Sequence, residues 1–311
     1  MKKIIIDTDP GIDDAFALCY AFAHPQLDVI ALTTIFGNVD VELATTNALK
    51  LCELNNVNTP VAMGAATPLT IAANPHSTFV HGENGFGNVS LPAVSTSRID
   101  QCATDTLISN VLDNPGEVTV VAVGPLTNLA RALEKAPKIA SAVESVVIMG
   151  GAFDRPGNVT AYAEANIWND PHAAQKVLTA DWPVIIHGLD VTHQVIFNND
   201  FFDKLAAGNA KVGGFLHDAA EFYIDFYQRR NNFGGCCPHD QLALSYVTQP
   251  HLFESETASV DVVTSGAKIG LTYRSAGAGI ANKQIVKSVD TSQLINDYFN
   301  TITGNPQRYD A

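Results

Sequence analysis

Long apolar runs are absent from this sequence. No stretch of 18 consecutive apolar residues occurs, so a membrane-spanning helix is not expected. The apolar stretch at the amino terminus is three residues long and stops at Asp7, which is too short for a secretory signal. We therefore expect a cytoplasmic protein that makes no contact with a membrane.

Cysteine is scarce and irregularly placed. The five cysteines are an odd number, no Cys-x-x-Cys spacing occurs, and Cys236 and Cys237 are adjacent. Neither a disulfide framework nor a zinc site is therefore expected. Cys19 and Cys52 fall on apolar helix positions, where a thiol packs as a small core side chain.

Basic residues are heavily outnumbered. Lys and Arg total 18 against 32 Asp and Glu, which gives a formal net charge of −14. Because this charge repels phosphates, nucleic acids and anionic membranes are not expected partners, and a neutral or cationic small molecule is favoured. The 46% hydrophobic and 16% charged composition is typical of a globular protein, and the length suits a single domain over residues 1–311.

What the sequence does contain is a cluster of acids near its start. The segment KKIIIDTDPGIDDA is an apolar strand that leads into Asp7, Asp9, Asp13 and Asp14. Carboxylates this close raise one another's pKa values, whereas a hard divalent cation is bound by several carboxylate oxygens. In open α/β sheets, ligands bind beyond the carboxyl ends of the strands. The alternative is that Asp13 and Asp14 only begin a helix and Asp9 is a turn residue, but four acids exceed what one cap requires.

Strand and helix patterns alternate through the first 190 residues. The apolar, β-branched runs that predict strands are residues 3–6, 29–35, 118–122, 143–149 and 184–187. The segments with helical apolar spacing are residues 41–54, 103–112, 127–135 and 171–179, the last introduced by Asp170 and Pro171. This alternation predicts an α/β fold with an open, mainly parallel sheet flanked by helices.

The rest of the chain mixes helices and strands. Helices are predicted at residues 200–206, 215–229, 240–246 and 292–301, and strands at residues 260–263, 268–273 and 284–289. Residues 64–92 are rich in Gly, Asn and Pro and form a loop too long to be a mere connection. Loops of this length in compact domains are often functional.

Further motifs follow the aspartate cluster. They are IFGNV around Asn38, HGENG at 81–85, VGPLTNLA at 123–130, VIMGGA at 147–152, GNVTAYAEANIWNDPHAA at 157–174 and PHD at 238–240. Together with DTDPGIDDA, these blocks resemble, in the same order and over nearly the whole chain, those of the calcium-dependent nucleoside hydrolases of the inosine-uridine-preferring type. The resemblance implies that family's fold and hydrolysis of the N-glycosidic bond of purine and pyrimidine ribonucleosides to base and ribose, in nucleoside salvage.

The resemblance also implies a Ca²⁺ site. Its ligands would be the carboxylates of Asp9, Asp14 and Asp240 and the main-chain carbonyl of Val123, with Asp7 as a supporting acid. Asp9 would also be the catalytic base that accepts a proton from a calcium-bound water. The alternative for Asp240 is the N-cap of the helix that follows it.

A ribose needs donors and acceptors matched to three hydroxyl groups, and amide and carboxylate side chains supply both. The resemblance assigns Asp13 and Asn166 to the 2′-hydroxyl, and Asn158 and Glu164 to the 5′-hydroxyl. Asn38 fits the same need. The alternative for Asn158, read alone, is an ordinary turn residue.

Departure of the base is helped by a proton, and histidine suits that transfer at neutral pH. His239 precedes Asp240 and is predicted to be the catalytic donor, while His81 in the long loop is predicted to close over the base. Tyr223 and Tyr227, one helical turn apart, either contact the base or pack in the core.

One position departs from the family. Relatives commonly have Phe after the acid at Glu164, where this chain has Ala165. The missing ring changes the packing around the sugar or base and removes no catalytic group. Because the family forms dimers and tetramers, a homodimer or homotetramer is expected.

Two other functions compete with this interpretation. A DTD motif after a strand mimics the aspartyl nucleophile of haloacid-dehalogenase-type phosphotransferases, but four carboxylates without a basic clamp would repel a phosphate ester. The second alternative is a non-catalytic nucleoside or ribose binder on the same fold. The presence of all the acids, the amides and His239 argues against it.

Overall fold

Strands and helices alternate along residues 1–231, 233–275 and 282–304, the part of the chain that the computed structural model describes. The strands are β1 Lys2–Thr8, β2 Leu27–Thr34, β3 Val61–Met63, β4 Val118–Ala122, β5 Ser145–Met149, β6 Val184–His187, β7 Phe197–Asn198, β8 Gly235–Cys236, β9 Phe253–Ala258, β10 Val260–Val262, β11 Thr272–Arg274 and β12 Lys283–Val289. The helices are α1 Ile12–Ala23, α2 Val41–Asn55, α3 Thr78–His81, α4 Ala103–Asp113, α5 Thr127–Lys135, α6 Ile139–Ala142, α7 Ala165–Asn169, α8 Pro171–Thr179, α9 Leu189–Thr192, α10 Asn199–Gly208, α11 Val212–Asn231, α12 His239–Thr248 and α13 Thr291–Thr303.

The central sheet of the described residues has eight strands in the order β3-β2-β1-β4-β5-β6-β12-β9. Its neighbouring strands run parallel except at one edge, where β9 pairs antiparallel with β12. The predicted α/β fold with an open, mainly parallel sheet is therefore confirmed. That the chain is one domain stays a prediction.

The strand order reverses between β1 and β4. From β1 the chain proceeds outward through β2 and β3, and it then returns to β4 and continues to the other side through β5 and β6. The two central strands are in register from Lys3 opposite Val118 to Asp7 opposite Ala122, so they end side by side. Such a reversal opens a crevice beyond the carboxyl ends of the strands, where open α/β sheets bind ligands.

Apolar side chains cover both faces of the sheet. In β1, Ile4 and Ile6 belong to one buried cluster and Ile5 to the cluster on the opposite face, because successive side chains of a strand point to opposite faces. Helices α1 and α12 pack together in the first layer, and α4, α5 and α8 pack together in the second. Two covered faces explain why the strands read as continuous apolar runs.

A few elements differ from the predicted ones. The sequence pattern does not predict β3, which is three residues long, or the edge strand β9, whose FESETA sequence is mostly polar. The strand predicted at 268–273 is wrong over its first half because Gly270, with φ of +84°, interrupts the extended backbone, and β11 begins only at Thr272. The long loop predicted at 64–92 contains the single helical turn α3.

The cysteine and membrane expectations can be compared with the structure. All five cysteines are free. The prediction that Cys19 and Cys52 pack in the core is confirmed, since both are buried. Among the helices of the described residues, none combines the length and apolar character that crossing a membrane needs.

His187 is a fully buried histidine outside the predicted site. It ends β6, and its ring centroid lies 5.2 Å from that of Tyr246 and 5.4 Å from that of Phe253, both edge-on. Burial lowers the pKa of His187 to about 3. The folded protein therefore holds a neutral imidazole over a pH range in which the unfolded chain binds a proton.

This burial predicts a specific acid sensitivity. Between pH 6.5 and about 3 the unfolded state alone gains the proton, so His187 should lower the free energy of unfolding by about 1.4 kcal/mol per pH unit as the pH falls. His187→Leu should remove that slope, measured by urea unfolding of both proteins at several pH values. His251→Gln, at an exposed position, is the control and should follow the wild type. If the free energies of unfolding of His187→Leu and wild type differ by the same amount at every pH, the interpretation is wrong.

Candidate active site

The predicted site residues converge on the crevice beyond β1 and β4. Asp7 lies in β1, Asp9 follows that strand, and Val123 follows β4. Asp14 lies in the first turn of α1, and Asp240 lies in the first turn of α12. Because α1 and α12 pack against each other, their first turns bring acids from opposite ends of the sequence to one place.

Three carboxylates form the centre of this arrangement. Oxygens of Asp13, Asp14 and Asp240 all lie within 4.8 Å of one another, and all three side chains are buried. Burial, together with the charge of neighbouring acids, raises the pKa of Asp13 to about 8 and that of Asp240 well above its usual range. Within the described part of the chain, no Lys or Arg forms an ion pair with these acids.

Asp9 lies beside this trio and is held from one side. Its Oδ2 accepts a hydrogen bond from the backbone N–H of Asn38 at 2.7 Å. Burial and then the charge of Asp14 raise the pKa of Asp9 well above its usual range. Gly37 and Gly124 flank the carboxylate so closely that a Cβ at either position would overlap one of its oxygens. The loops after β2 and β4 therefore require glycine at these two positions.

Asp14 is the most firmly held of the acids. Its Oδ1 accepts from the Thr8 hydroxyl at 2.5 Å, and its Oδ2 accepts from the Gly11 N–H at 2.9 Å and from Asn38 Nδ2 at 3.0 Å. The interpretation of this acid as a helix-capping residue is therefore correct in part, because the bond from the Gly11 N–H to Asp14 satisfies one free donor at the start of α1. Asp240 is not an N-cap, since Pro238 holds that position of α12.

Two carboxylate oxygens in the site lack a hydrogen-bond donor within the described ranges. Oδ1 of Asp9 and Oδ1 of Asp13 are buried, and neither accepts a hydrogen bond from the residues described. A buried, unpaired carboxylate oxygen is costly unless a cation neutralises it. The donors at this site are all oxygens, which are the ligands that hard divalent cations prefer. The residues present therefore fit a divalent cation.

Asn166 joins this region to the carbonyl predicted as a neutral ligand. Its Nδ2 donates to the main-chain oxygen of Val123 at 2.8 Å and to that of Met149 at 3.2 Å. The carbonyls that follow β4 and end β5 are thus fixed by one amide. A carbonyl oxygen has two lone pairs, so this bond leaves Val123 able to accept a second interaction.

Glu164 and Asn158 organise the start of α7, a short helix that the sequence pattern does not predict. Glu164 is its N-cap: Oε1 accepts from the Asn166 N–H at 2.9 Å, and Oε2 accepts from the N–H groups of Gly151 and Ile167 at 3.0 and 3.2 Å. Asn158 Oδ1 accepts from the Ala165 N–H at 3.0 Å. These two residues and Asn166 are therefore brought together, while Asn38 lies against Asp14.

His239 precedes Asp240 in the first turn of α12 and contacts residues other than the acids. Its Nε2 lies 2.6 Å from the hydroxyl of Tyr227, and its Nδ1 lies 2.7 Å from the hydroxyl of Thr192. Burial, together with the neighbouring His193, lowers the pKa of His239 well below its usual range, so the ring is neutral at pH 7. Both ring nitrogens are thus engaged by hydroxyl groups.

Tyr223 and Tyr227 are buried on α11 with their ring centroids 5.0 Å apart. The Tyr223 hydroxyl donates to Asp13 Oδ2 at 3.3 Å, and the Tyr227 hydroxyl contacts His239. The two tyrosines therefore do more than pack in the core, because the hydroxyl group of each contacts a predicted site residue.

His81 reaches the site from the long loop. Its Nδ1 accepts from the Ile12 N–H at 3.1 Å and lies 3.8 Å from Asp13 Oδ1, and its ring centroid lies 5.5 Å from that of Tyr223. Burial lowers the pKa of His81 to about 3. The ring is therefore neutral and, since Nδ1 accepts, carries its proton on Nε2.

The sequence does not identify three residues that support the site. Thr8 and Thr192 orient Asp14 and His239, as described above. Asn128 donates to both oxygens of Asp7, at 2.9 and 3.2 Å, and its Oδ1 accepts from the Ala65 N–H at 2.9 Å. The VGPLTNLA block contains this amide and could have indicated a partner for Asp7, whose pKa burial raises to about 7.

Comparison with known proteins is consistent with this geometry. Residues 4–296 match the family model described as inosine-uridine preferring nucleoside hydrolase. Uridine nucleosidase 1 of Arabidopsis thaliana is 41% identical over 277 residues, 89% of this chain and 82% of the plant protein.

Two solved structures share the fold over nearly their full lengths. The plant nucleoside hydrolase PpNRh1 has a TM-score of 0.94 at 38% identity, covering 97% of this chain and 99% of its own. The purine-preferring ribonucleoside hydrolase from Gardnerella vaginalis also has a TM-score of 0.94, at 34% identity, covering 97% and 98%. The chain therefore belongs to the inosine-uridine preferring nucleoside hydrolase family, and the predicted nucleoside N-ribohydrolase is confirmed.

Proposed function

We propose that this protein hydrolyses purine and pyrimidine ribonucleosides with a Ca²⁺ ion at the aspartate cluster and Asp9 as the base. The observation that carries the proposal is the buried, unpaired Oδ1 of Asp9 beside the trio of Asp13, Asp14 and Asp240. A phosphate ester or another anion would be repelled from this cluster, whereas an uncharged nucleoside would not.

The cation is proposed to be held by Asp9, Asp14, Asp240 and the carbonyl of Val123. Asp13 lies within the same trio of carboxylates, and it faces either the metal or the 2′-hydroxyl. When bound, calcium would supply positive charge that keeps these acids ionised and would lower the pKa of a water molecule beside them.

Asp9 is suited to accept the proton of the attacking water. Its Oδ2 is fixed by the Asn38 N–H, which leaves Oδ1 as the free acceptor. Cleavage of an N-ribosidic bond develops oxocarbenium character at the sugar, so a water positioned on one face and a departing base on the other are both needed.

The amide and carboxylate groups around α7 are proposed to bind the ribose. Asn166 and Asp13 would contact the 2′-hydroxyl, and Asn158 and Glu164 the 5′-hydroxyl. Both carboxylate oxygens of Glu164 already accept hydrogen bonds from backbone N–H groups. Each oxygen can accept more than one hydrogen bond, so both remain able to bind a hydroxyl group. Asn38 lies against Asp14 and would contact the sugar from the opposite side.

The base is proposed to receive its proton through His239 and Tyr227. Because the hydroxyl of Tyr227 already lies 2.6 Å from His239 Nε2, the tyrosine can pass a proton from the protonated form of this imidazole to the base, and the neutral imidazole then regains a proton from solvent. Tyr223 and His81 line the same region from α11 and the long loop. Broad base specificity is supported by similarity to a uridine nucleosidase and to a purine-preferring hydrolase. A cytoplasmic location and a homodimer or homotetramer stay predictions from the sequence.

Removal of calcium tests whether the activity requires this metal. A chelator should abolish release of ribose from inosine and uridine, and added Ca²⁺ should restore it. At 100-fold excess over its dissociation constant, calcium should also stabilise the fold by about 2.7 kcal/mol. Asp240→Asn should lose both effects in thermal unfolding and ribose assays, whereas Asp100→Asn, at an exposed position, should retain them. Full activity of the metal-free protein would contradict the proposal.

Deoxyribonucleosides test the ribose contacts. A site built to hydrogen-bond a hydroxyl group rejects an analogue that lacks it by about 10⁴-fold in favourable cases. The kcat/KM for 2′-deoxyinosine should therefore fall far below that for inosine. Asn166→Ala should reduce this difference in kcat/KM, because it should slow hydrolysis of inosine and not that of 2′-deoxyinosine. Equal rates for the two nucleosides would exclude the proposed contacts to the 2′-hydroxyl.

Substrates with different leaving groups test the proton donor. His239→Ala and Tyr227→Phe should each slow inosine hydrolysis, the former by about 10²–10⁴-fold. Both should spare p-nitrophenyl riboside, because its leaving group needs no proton. Phe has nearly the shape of Tyr, so Tyr227→Phe separates loss of the hydroxyl from loss of packing. If hydrolysis of both substrates slows equally, these residues position the metal site and do not supply a proton to the base.

A further inference from the structure

A second group of metal-ligating side chains lies next to the acids but differs from them chemically. Ligand atoms of His193, Cys237 and His239 all lie within 4.8 Å of one another. Cys237 is in the link between β8 and α12, His239 begins α12, and His193 follows α9. The chain thus gathers two imidazoles and one thiol on the proton-donating side of the site.

We propose that His193, Cys237 and His239 form a binding site for a thiophilic divalent cation such as Zn²⁺, and that its occupation inhibits hydrolysis. The inhibitory effect rests on the function proposed above, because it acts through His239. The binding site itself does not depend on that function. Nitrogen and sulfur ligands select zinc-like cations, whereas the all-oxygen aspartate cluster suits calcium.

The geometry requires only small movements. Ligand atoms around a tetrahedral zinc ion are about 3.4–3.7 Å apart, as follows from Zn–N and Zn–S bonds of about 2.0–2.3 Å. The observed separations of up to 4.8 Å therefore have to close by roughly 1 Å. The centroids of the two imidazole rings are already 5.2 Å apart, so rotation of the side chains can achieve this. Three protein ligands leave a fourth position for water.

One nitrogen in this group of side chains lacks a hydrogen-bond partner among the described residues. Nδ1 of His193 is buried and has no hydrogen-bond partner in the part of the chain that is described. A buried imidazole nitrogen without a partner costs free energy that a metal bond would recover. The Cys237 thiol is also buried, and the Tyr227 hydroxyl lies within hydrogen-bonding reach of it.

The local charge is mixed. Asp190 lies close enough to His193, and Asp13 close enough to Cys237, to act on them electrostatically and attract a cation. Arg155 acts on all three ligands in the opposite sense. Deprotonation of Cys237 on binding would offset Arg155 by adding a negative charge in contact with the metal.

Occupation of this site would withdraw His239 from proton transfer. Its two ring nitrogens contact Tyr227 and Thr192, so a metal bond to either nitrogen must break one of these contacts. A ring held by the metal can no longer supply the base with a proton through Tyr227. Inhibition should therefore be stronger for inosine than for p-nitrophenyl riboside.

Zinc titration of the calcium-saturated protein tests the site. Zinc binding is measured by competition with a chromophoric chelator, and inosine hydrolysis is followed in parallel. We expect one zinc ion to bind per chain in the presence of excess calcium and to inhibit hydrolysis. Cys237→Ser and His193→Gln should weaken zinc binding by at least 10-fold, as expected for altered metal ligands, while retaining inosine hydrolysis without zinc. Cys102→Ser, which removes an exposed thiol, should bind zinc as the wild type does.

Several results would overturn the proposal. Zinc affinity unchanged in both Cys237→Ser and His193→Gln would exclude these ligands. Relief of inhibition by added calcium would place zinc at the aspartate cluster instead. Zinc bound at the three residues without inhibition would refute the effect on catalysis. Because binding is measured without substrate, failure of the proposed hydrolytic mechanism would not alter the binding result.

Discussion

Repulsion between buried carboxylates is the constraint on which the site depends. Asp9, Asp13, Asp14 and Asp240 share a space with little access to water, and among the residues described no basic side chain neutralises them. Burial raises their pKa values, so without a cation their ionised forms are disfavoured. The fold supplies the energy that holds these acids together, and a bound cation would convert the repulsion into attraction.

The sheet topology makes this concentration of charge possible. Reversal of strand order between β1 and β4 opens the crevice, and packing of α1 against α12 brings Asp240 to residues more than 200 positions earlier in the chain. The immediate supports are uncharged: hydroxyl, amide and backbone N–H groups hold Asp9 and Asp14. Uncharged donors orient the carboxylates without occupying the position of a cation.

The sequence predicted the architecture and the chemistry of the acids better than the contacts of the polar groups. Apolar periodicity located the strands β1, β2, β4, β5 and β6, because strands buried on both faces form unmistakable apolar runs. Short or polar strands such as β3 and β9 lack that signal. Motif order identified Glu164 and Asn158 but could not show that both bond backbone N–H groups at α7. Likewise, no spacing rule connects His193 with Cys237, since only the fold brings α9 next to the start of α12.

The dipeptide His239-Asp240 divides the site into two electrostatic halves. Consecutive residues of a helix point about 100° apart, so one turn of α12 directs Asp240 to the carboxylates and His239 to Thr192 and Tyr227. The acidic half suits a hard cation and a water, and the half with neutral imidazoles and phenols suits an uncharged base that must gain a proton. Hydrolysis of a glycosidic bond needs these environments on opposite faces of the sugar. A single helical turn therefore fixes both the separation of the two halves and their orientation.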